Sequence, residues 1–419
     1  MTTPVVPPPK KDPQKRTRVP TRPSHFRSRA ALGLAAAAAE GRFMLQRCSE
    51  CGTLQYPPRD ACASCLSADL PWMDVSPKGK LIAGTVVRTS TNVYFRERTP
   101  WRVGTVQLEE GPSIICHVHG DVQTGEDVVL INRLDKSGQA VFLAIPQGRT
   151  ANMEDDPQMR ELTCDPKFRR VLITDARAPN ALALAKAFAQ AQASIIFIGE
   201  SESWRSYPAH EELRAVPKVE ILPLDVTDTG SVLELCGEIG GKTDILVNNA
   251  RYVRPGGIMN RGDVIFAKDE MEVNFFGLMR LAQIFGPAMR GRGADGQNSA
   301  TAWVNVLSVY AWSNMPDYGS FSASNAAALS LSQCLRAELS AGGVRVMNVF
   351  SGPTEDEWHQ PLPPPKVAPE AIARSVISGL KDGLEEVFVG DVAKDLIERW
   401  RAGPKILERE MIENAGQDA

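Results

Sequence analysis

The chain has no long apolar run, no strong net charge and no dense cysteine framework, and each absence removes a class of function. No segment of its 419 residues is long and apolar enough to span a bilayer, which excludes a helical membrane protein. A formal net charge of -3 predicts no affinity of the whole for nucleic acid or for a membrane surface. Eight cysteines in a chain of this size do not make a disulfide scaffold. Half of them crowd into one short segment, which points to metal in a reducing compartment, so the expected location is cytoplasmic. The run AALGLAAAAAEG lies too far in for a secretory leader and is almost all alanine. It reads as an N-terminal helix instead.

The length exceeds one ordinary core and predicts two folded domains. The 43% hydrophobic and 23% charged residues are those of a soluble globular chain. Before the alanine run stands PKKDPQKRTRVPTRPSHFRSR, basic, proline-rich and without periodicity. It reads as a disordered arm, either a solubilising tail or a segment that touches phosphates or an acidic partner. The expected organisation is a disordered basic arm over 1–23, a helix and zinc ribbon over 24–74, a barrel over 75–148, a linker over 149–168 and an α/β domain over 169–419.

The most specific local signal is RCSECGTLQYPPRDACASC, whose Cys48, Cys51, Cys62 and Cys65 form two CxxC pairs. Four thiolates on two short loops suit a closed, tetrahedral, structural Zn²⁺ site. Neither pair opens a helix in a βαβ unit, as a redox CxxC would. Cys116, Cys164, Cys236 and Cys334 stand alone and read as core residues. His117 and His119 lack a third ligand nearby and read as packing or surface histidines.

From Gly79 to Pro146 five short β-type runs alternate with turn residues, which predicts a small barrel. Between two of these runs lies the aromatic-basic loop YFRERTPWR, with Tyr94, Phe95, Arg96, Arg98, Trp101 and Arg102. It is a candidate for contact with a phosphate or a partner surface, or a plain mobile loop. Together, EGRFMLQRCSECG, the YPPR turn, CASC and GKLIAGTVV resemble the zinc-ribbon OB-fold proteins associated with acyl-CoA enzymes. The resemblance implies an accessory subunit docked on a thiolase-superfamily protein. OB barrels also bind single-stranded nucleic acid, but this one has no broad basic, aromatic face, and no nucleic-acid partner is expected.

From Arg170 onward buried apolar strands interleave with helices, the pattern of a doubly wound parallel sheet. LDVTD with Asp225, DILVNNA with Asn248, VNFFGLM with Asn274, WVNVLS with Ser308 and the helix FSASNAAALSLSQCLRAEL resemble the short-chain dehydrogenase/reductase family. The resemblance implies a Rossmann-like nucleotide-binding domain that forms homo-oligomers, and the small residues from Ala326 to Ala341 suit close helix packing. Glu200 follows the strand SIIFIG, where an acidic group favours a ribose hydroxyl. Any retained nucleotide is therefore expected to be NAD rather than NADP, although a solvated carboxylate is the simpler reading.

The departures from that family decide the functional expectation. In the turn TDARAPNA, Asp175, Pro179 and Ala181 take the three glycine positions. A carboxylate about 4 Å from a phosphate costs on the order of 4 kcal/mol at an effective dielectric of about 20, roughly three decades of affinity, which Arg177 would offset in part. Phe321 and Asn325 replace the family's Tyr and Lys, so neither the proton donor nor the cation that activates it is present, and Ser308 and Asn274 are vestigial. The expected function is a non-catalytic accessory subunit of a thiolase-type enzyme. The alternative is an NAD-dependent oxidoreductase with a remodelled site in which Tyr318 or Tyr310 supplies the proton.

Overall fold

The computed structural model describes residues 2–10, 19–25, 27–293 and 299–417. They form two compact units, the first built on Pro20–Asp165 and the second on Pro166–Leu380 and Glu386–Ala419. Part of the basic arm, 11–18, lies outside the described residues. Its described flanks form no helix or strand, but Val5 N donates to Asp155 and Ser137 Oγ donates to Pro23 O.

In the first unit the alanine run forms a helix, Leu32–Ala39, that buries Leu34, Ala37 and Ala38. Strands β1 (Met44–Arg47), β2 (Leu54–Gln55) and β3 (Trp72–Asp74) form a small antiparallel sheet in the order β2-β1-β3. Strands β4 (Lys78–Val87), β5 (Trp101–Leu108), β6 (Ser113–Val118), β7 (Asp127–Leu134) and β8 (Ala140–Pro146) close a barrel in the order β4-β5-β6-β8-β7. Alternate residues point inward, and Leu81, Val106, Ile114, Val128, Leu130 and Phe142 fill the interior. The register slips between Leu81 and Ala83, the kind of bulge that bends a long strand around a barrel.

The stretch expected to be a linker is folded. A 3-10 turn at Met153–Asp155 leads into the helix Pro157–Leu162, capped by Asp156, whose carboxylate accepts from Gln158 N and Met159 N at 3.0 and 2.9 Å. Gln158 accepts from Arg102 N and donates to Arg102 O, both at 2.8 Å, so its amide pairs with the barrel like a short strand. The helix is under two turns long, too short to show a period in sequence.

That helix carries Glu161, which accepts from Tyr94 Oη at 2.8 Å and pairs with Arg98 at 3.1 Å and Lys136 at 3.2 Å. Burial alone would raise the Glu161 carboxyl, but Lys136 and Arg98 outweigh it and hold the group at about 2. Because the folded value lies below the unfolded one, the stabilisation is fully present above about pH 4.3 and is lost as pH falls towards 2. Glu161→Gln is expected to lower stability by about 3 kcal/mol at neutral pH and to flatten the acid limb of a denaturation curve followed by circular dichroism.

The second unit is a seven-stranded, all-parallel sheet. Its strands are β9 (Arg170–Ile173), β10 (Ile195–Glu200), β11 (Val219–Pro223), β12 (Ile245–Asn248), β13 (Ala302–Ser308), β14 (Arg345–Ser351) and β15 (Glu386–Val389), in the order β11-β10-β9-β12-β13-β14-β15. Both faces of the central strands are covered, which is why they read as unbroken apolar runs. Within the core, Trp303 Nε1 donates to Asn305, Asn305 to Asn348 and Asn348 to Ser332 at 2.8–3.0 Å. Asn305 and Asn348 are register partners across β13 and β14, so a slip of either strand would strand buried amides. The strand order reverses between β9 and β12, and the loops after their C-terminal ends form the crevice where such sheets bind ligands.

Among the described residues no helix is long and apolar enough to cross a membrane.

Candidate functional site

Two sites carry chemistry, one in each unit. In the first, β1 and β2 place the knuckle of Cys48 and Cys51, and a second loop places Cys62 and Cys65. The four sulfurs lie within 4.8 Å of one another. Sγ of Cys48 is 3.5 Å from that of Cys65, and Sγ of Cys51 is 3.6 Å from that of Cys62. A tetrahedron with Zn–S bonds of about 2.3 Å has edges of about 3.8 Å, so the cluster is already the size of a zinc site. Each knuckle closes with the amide of the residue after its second cysteine donating back to its first, Gly52 N to Cys48 O and Leu66 N to Cys62 O. Both residues sit at positive φ, 71° for Gly52 and 63° for Leu66.

Glycine adopts that backbone freely; leucine does not. Leu66 is 78% exposed, so its side chain returns little burial. Leu66→Gly is expected to stabilise the first unit by roughly 1 kcal/mol, read from the denaturant midpoint. The purified chain is expected to carry about one zinc, and Cys62→Ser to lose it by atomic absorption.

The other expectations for this unit divide. His119 is fully buried, accepts from Asp121 N at Nδ1 and contacts Met153 O through Nε2. His117 accepts from Trp101 Nε1 at 2.8 Å, and burial lowers it to about 4. Both are packing histidines. The loop YFRERTPWR is not the phosphate-gripping surface that its composition suggests. Tyr94 and Trp101 are 2% and 4% exposed, Arg98 is held by Glu161, and Arg102 donates to the carbonyls of His119 and Val122. Composition shows that these groups are near one another but not that they bond inward. Cys116 and Cys164 are buried as expected, Cys236 is half-buried, and Cys334 is exposed on its helix rather than in the core.

In the second unit, the crevice after β9 and β12 is filled by the chain's own side chains. Asp175 accepts from Arg177 N at 2.8 Å, and Ala178 N also faces its carboxylate. Burial raises this carboxyl to about 6, against the pull of those amides and of Arg177. Asp175 therefore does more than repel a phosphate, because it occupies the amides that would bind one. Asn249 clamps the same turn, accepting from Asp175 N and donating to Asp175 O and to Asn180. The Arg177 side chain turns away, donates to Ser201 O and Glu202 O, and lies 4.8 Å over the Tyr207 ring.

The residue after NNA, Arg251, was absent from the expected site. Nothing in the sequence DILVNNAR marks it as a site residue, because its partners lie more than 100 residues away. Arg251 donates to Thr354 at 3.2 Å and to Asp356, which also caps the turn Glu357–His359 and contacts His359 Nδ1 at 2.9 Å. Burial would raise the Asp356 carboxyl, but His359 and Arg251 hold it well below the usual carboxylate range. Pro179, Asn249, Arg251 and Thr354 line a cavity of about 20 Å³, space for one water.

The remaining predicted residues bond internally. Asn248 accepts from Thr174 Oγ1 at 3.1 Å, and Asp225 accepts from the amide and hydroxyl of Thr227. Glu200 is not the solvated carboxylate of the simpler reading: it is 8% exposed and sits 3.1 Å from His210 Nδ1. Asn274 lies in a π-helical turn, Glu272–Gly277, and its amide brackets Tyr252 through both backbone groups while donating to Ser324. Phe321 is fully buried. Asn325 accepts from Ser308 N at 2.9 Å and donates to Phe321 O at 3.0 Å, and Ser308 Oγ accepts from Tyr310 N. Tyr318 donates to Trp358 O at 2.7 Å, and burial raises its phenol to about 12. Neither it nor the equally buried Tyr310, whose phenol is also raised, is poised as a proton donor at neutral pH.

Comparison with known proteins agrees with this division. Residues 169–365 match the short chain dehydrogenase family model, 35–71 the model described as ChsH2, rubredoxin-like zinc ribbon domain, and 72–129 that described as ChsH2, C-terminal OB-fold domain. The chain is thus a fusion of a zinc ribbon and an OB barrel with a short-chain dehydrogenase domain. It is 36% identical over 150 residues to the short-chain dehydrogenase PC-15 of Penicillium crustosum, covering 34% of this chain and 51% of that one. To the ketoacyl reductase HetN of a Nostoc species it is 25% identical over 231 residues, covering 53% and 78%. The chain spans about half the length of the first curated relatives that it matches. A crystal structure of a short chain dehydrogenase from Burkholderia cenocepacia, in complex with NADP, superposes with a TM-score of 0.53 at 28% identity, over 59% of this chain and 98% of that one.

Proposed function

We propose that this chain is a non-catalytic accessory subunit of a thiolase-superfamily acyl-CoA enzyme, one that makes or breaks carbon-carbon bonds. In this reading the zinc-ribbon and OB unit engages the partner, and the dehydrogenase-like unit is a scaffold. The observation that carries the second half is the filled crevice. Asp175 accepts from the amides of its own turn, and Arg251, paired with Asp356, lines a cavity of only about 20 Å³ beside that turn. A dinucleotide would have to displace a buried ion pair, which costs several kcal/mol.

Support for self-association comes from the helix Gly319–Ser340. Ala323, Ser330, Cys334 and Ala337 are exposed along one face of it, with Ala326 and Ala327 half-buried beside them. Small residues at that spacing let two helices approach closely, and we assign this face to a homodimer that carries two zinc-ribbon arms. The alternative, an NAD-dependent oxidoreductase, is favoured by the names of the relatives, and Glu200 would then select NAD. It is opposed by the hydrogen bonds that occupy Asn325 and Tyr318.

The test is calorimetric titration with NADH and NADPH. The natural protein is expected to bind neither at micromolar concentration. The combined variant Asp175→Gly, Pro179→Gly, Arg251→Gly, Phe321→Tyr, Asn325→Lys is expected to recover binding. Micromolar binding and carbonyl reduction by the natural protein would overturn the scaffold reading. Stoichiometric co-purification with a thiolase-superfamily enzyme, lost in Cys62→Ser, is the expected signature of the accessory role.

A further inference from the structure

A second recess, near the C-terminal ends of β13 and β14, is distinct from the crevice described above. It is a cavity of about 480 Å³, within the range of small-molecule sites. Its walls are mainly apolar: Tyr310, Met315, Leu362, Val392, Leu396 and, from the last helix, Met411. Pro363, Pro364 and Pro365 add a side whose backbone is fixed by its rings, so the wall is formed before anything enters. None of Ser308, Phe321 and Asn325 lines it, so it is not the position where a reduction would take place.

Two polar features set what such a cavity accepts. The first is Tyr310, 3% exposed, whose ring lies 5.9 Å from that of Tyr318. Among the described residues the hydroxyl of Tyr310 makes no hydrogen bond. Burial raises this phenol, so it stays a neutral donor at any ordinary pH. With no protein partner and not sealed from solvent, that hydroxyl is available to a ligand oxygen in the cavity. The second is charge. Asp317, Asp391 and Asp395 line the cavity against one cation, Arg399, which is itself bound to Asp395 and Glu410. An anionic head would meet a carboxylate surplus with no free cation among these residues to receive it.

We infer that this cavity binds an uncharged, predominantly apolar molecule through a single carbonyl or hydroxyl oxygen, held by Tyr310, and that it rejects the corresponding carboxylate. The inference does not rest on the accessory role, since the cavity lies within the second unit and needs no partner enzyme.

The experiment uses the full-length, zinc-loaded chain and an uncharged solvatochromic dye, Nile red, as the reporter. A medium-chain 2-ketone and the matched fatty acid, at about pH 8 where the acid is ionised, are the competitors. The dye is expected to bind saturably at one site per chain and to be displaced by the ketone at least tenfold better than by the carboxylate. Tyr310→Phe is expected to weaken the ketone roughly five- to tenfold, the worth of one neutral hydrogen bond, while leaving the dye in place. Val392→Trp fills the cavity and is expected to abolish dye binding with the zinc content unchanged. If that variant fails to fold, Tyr310→Phe and the ketone-to-acid ratio decide. Equal or better displacement by the carboxylate, an unchanged ketone affinity in Tyr310→Phe, or no saturable dye site would each overturn the inference.

Discussion

A carboxylate taken out of water has to be paired, and in the second unit two such groups decide what the fold can do. Asp175 follows β9 and Asp356 lies in the loop after β14, and each is satisfied by the chain itself, one by the amides of its own turn and the other by Arg251, Thr354 and His359. A crevice of this kind is normally electropositive at the helix N-terminus, ready for an anion from outside. Here the anion is built in. The hydrogen bonds that stabilise these loops are thus made by the groups that face the crevice, so one arrangement sets both the loop conformation and the charge presented there.

The first unit meets a related constraint by different means. Strands of two to four residues cannot hold a three-stranded sheet together on their own burial. Four sulfurs gathered within 4.8 Å give the knuckles a fixed centre, and the backbone bonds to Cys48 O and Cys62 O shape them for it. The short helix after the barrel adds a second anchor, because Gln158 and Glu161 tie it to Arg102, Arg98 and Lys136.

Much of this was legible in the sequence, and the reason differs by element. The seven parallel strands were visible as apolar runs because burial on both faces leaves no polar alternation to confuse them. The zinc ligands were visible because thiolate spacing is itself the geometry. Hidden features were those in which a residue type has two uses. Arginines and aromatics in YFRERTPWR look the same whether they face a ligand or bond inward. Asp175 reads as a repulsive charge until its contact with Arg177 N appears. The helix Pro157–Leu162 was hidden by its length, and the role of Arg251 lay in a partner 105 residues away.

The replacements in the dehydrogenase-like unit come as compensated groups. Asn325 in the lysine position would be a buried amide at risk, yet it receives Ser308 N and donates to Phe321 O, closing the space around the missing phenol. Arg251 would be a largely buried cation, yet Asp356 meets it. Independent loss of function leaves unpaired groups behind, each costing about 1–3 kcal/mol. Neither Asn325 nor Arg251 is left that way, while the core network from Trp303 to Ser332 keeps the sheet in register. The crevice is therefore a settled structure in its own right, in which each replacement is bonded to the chain around it.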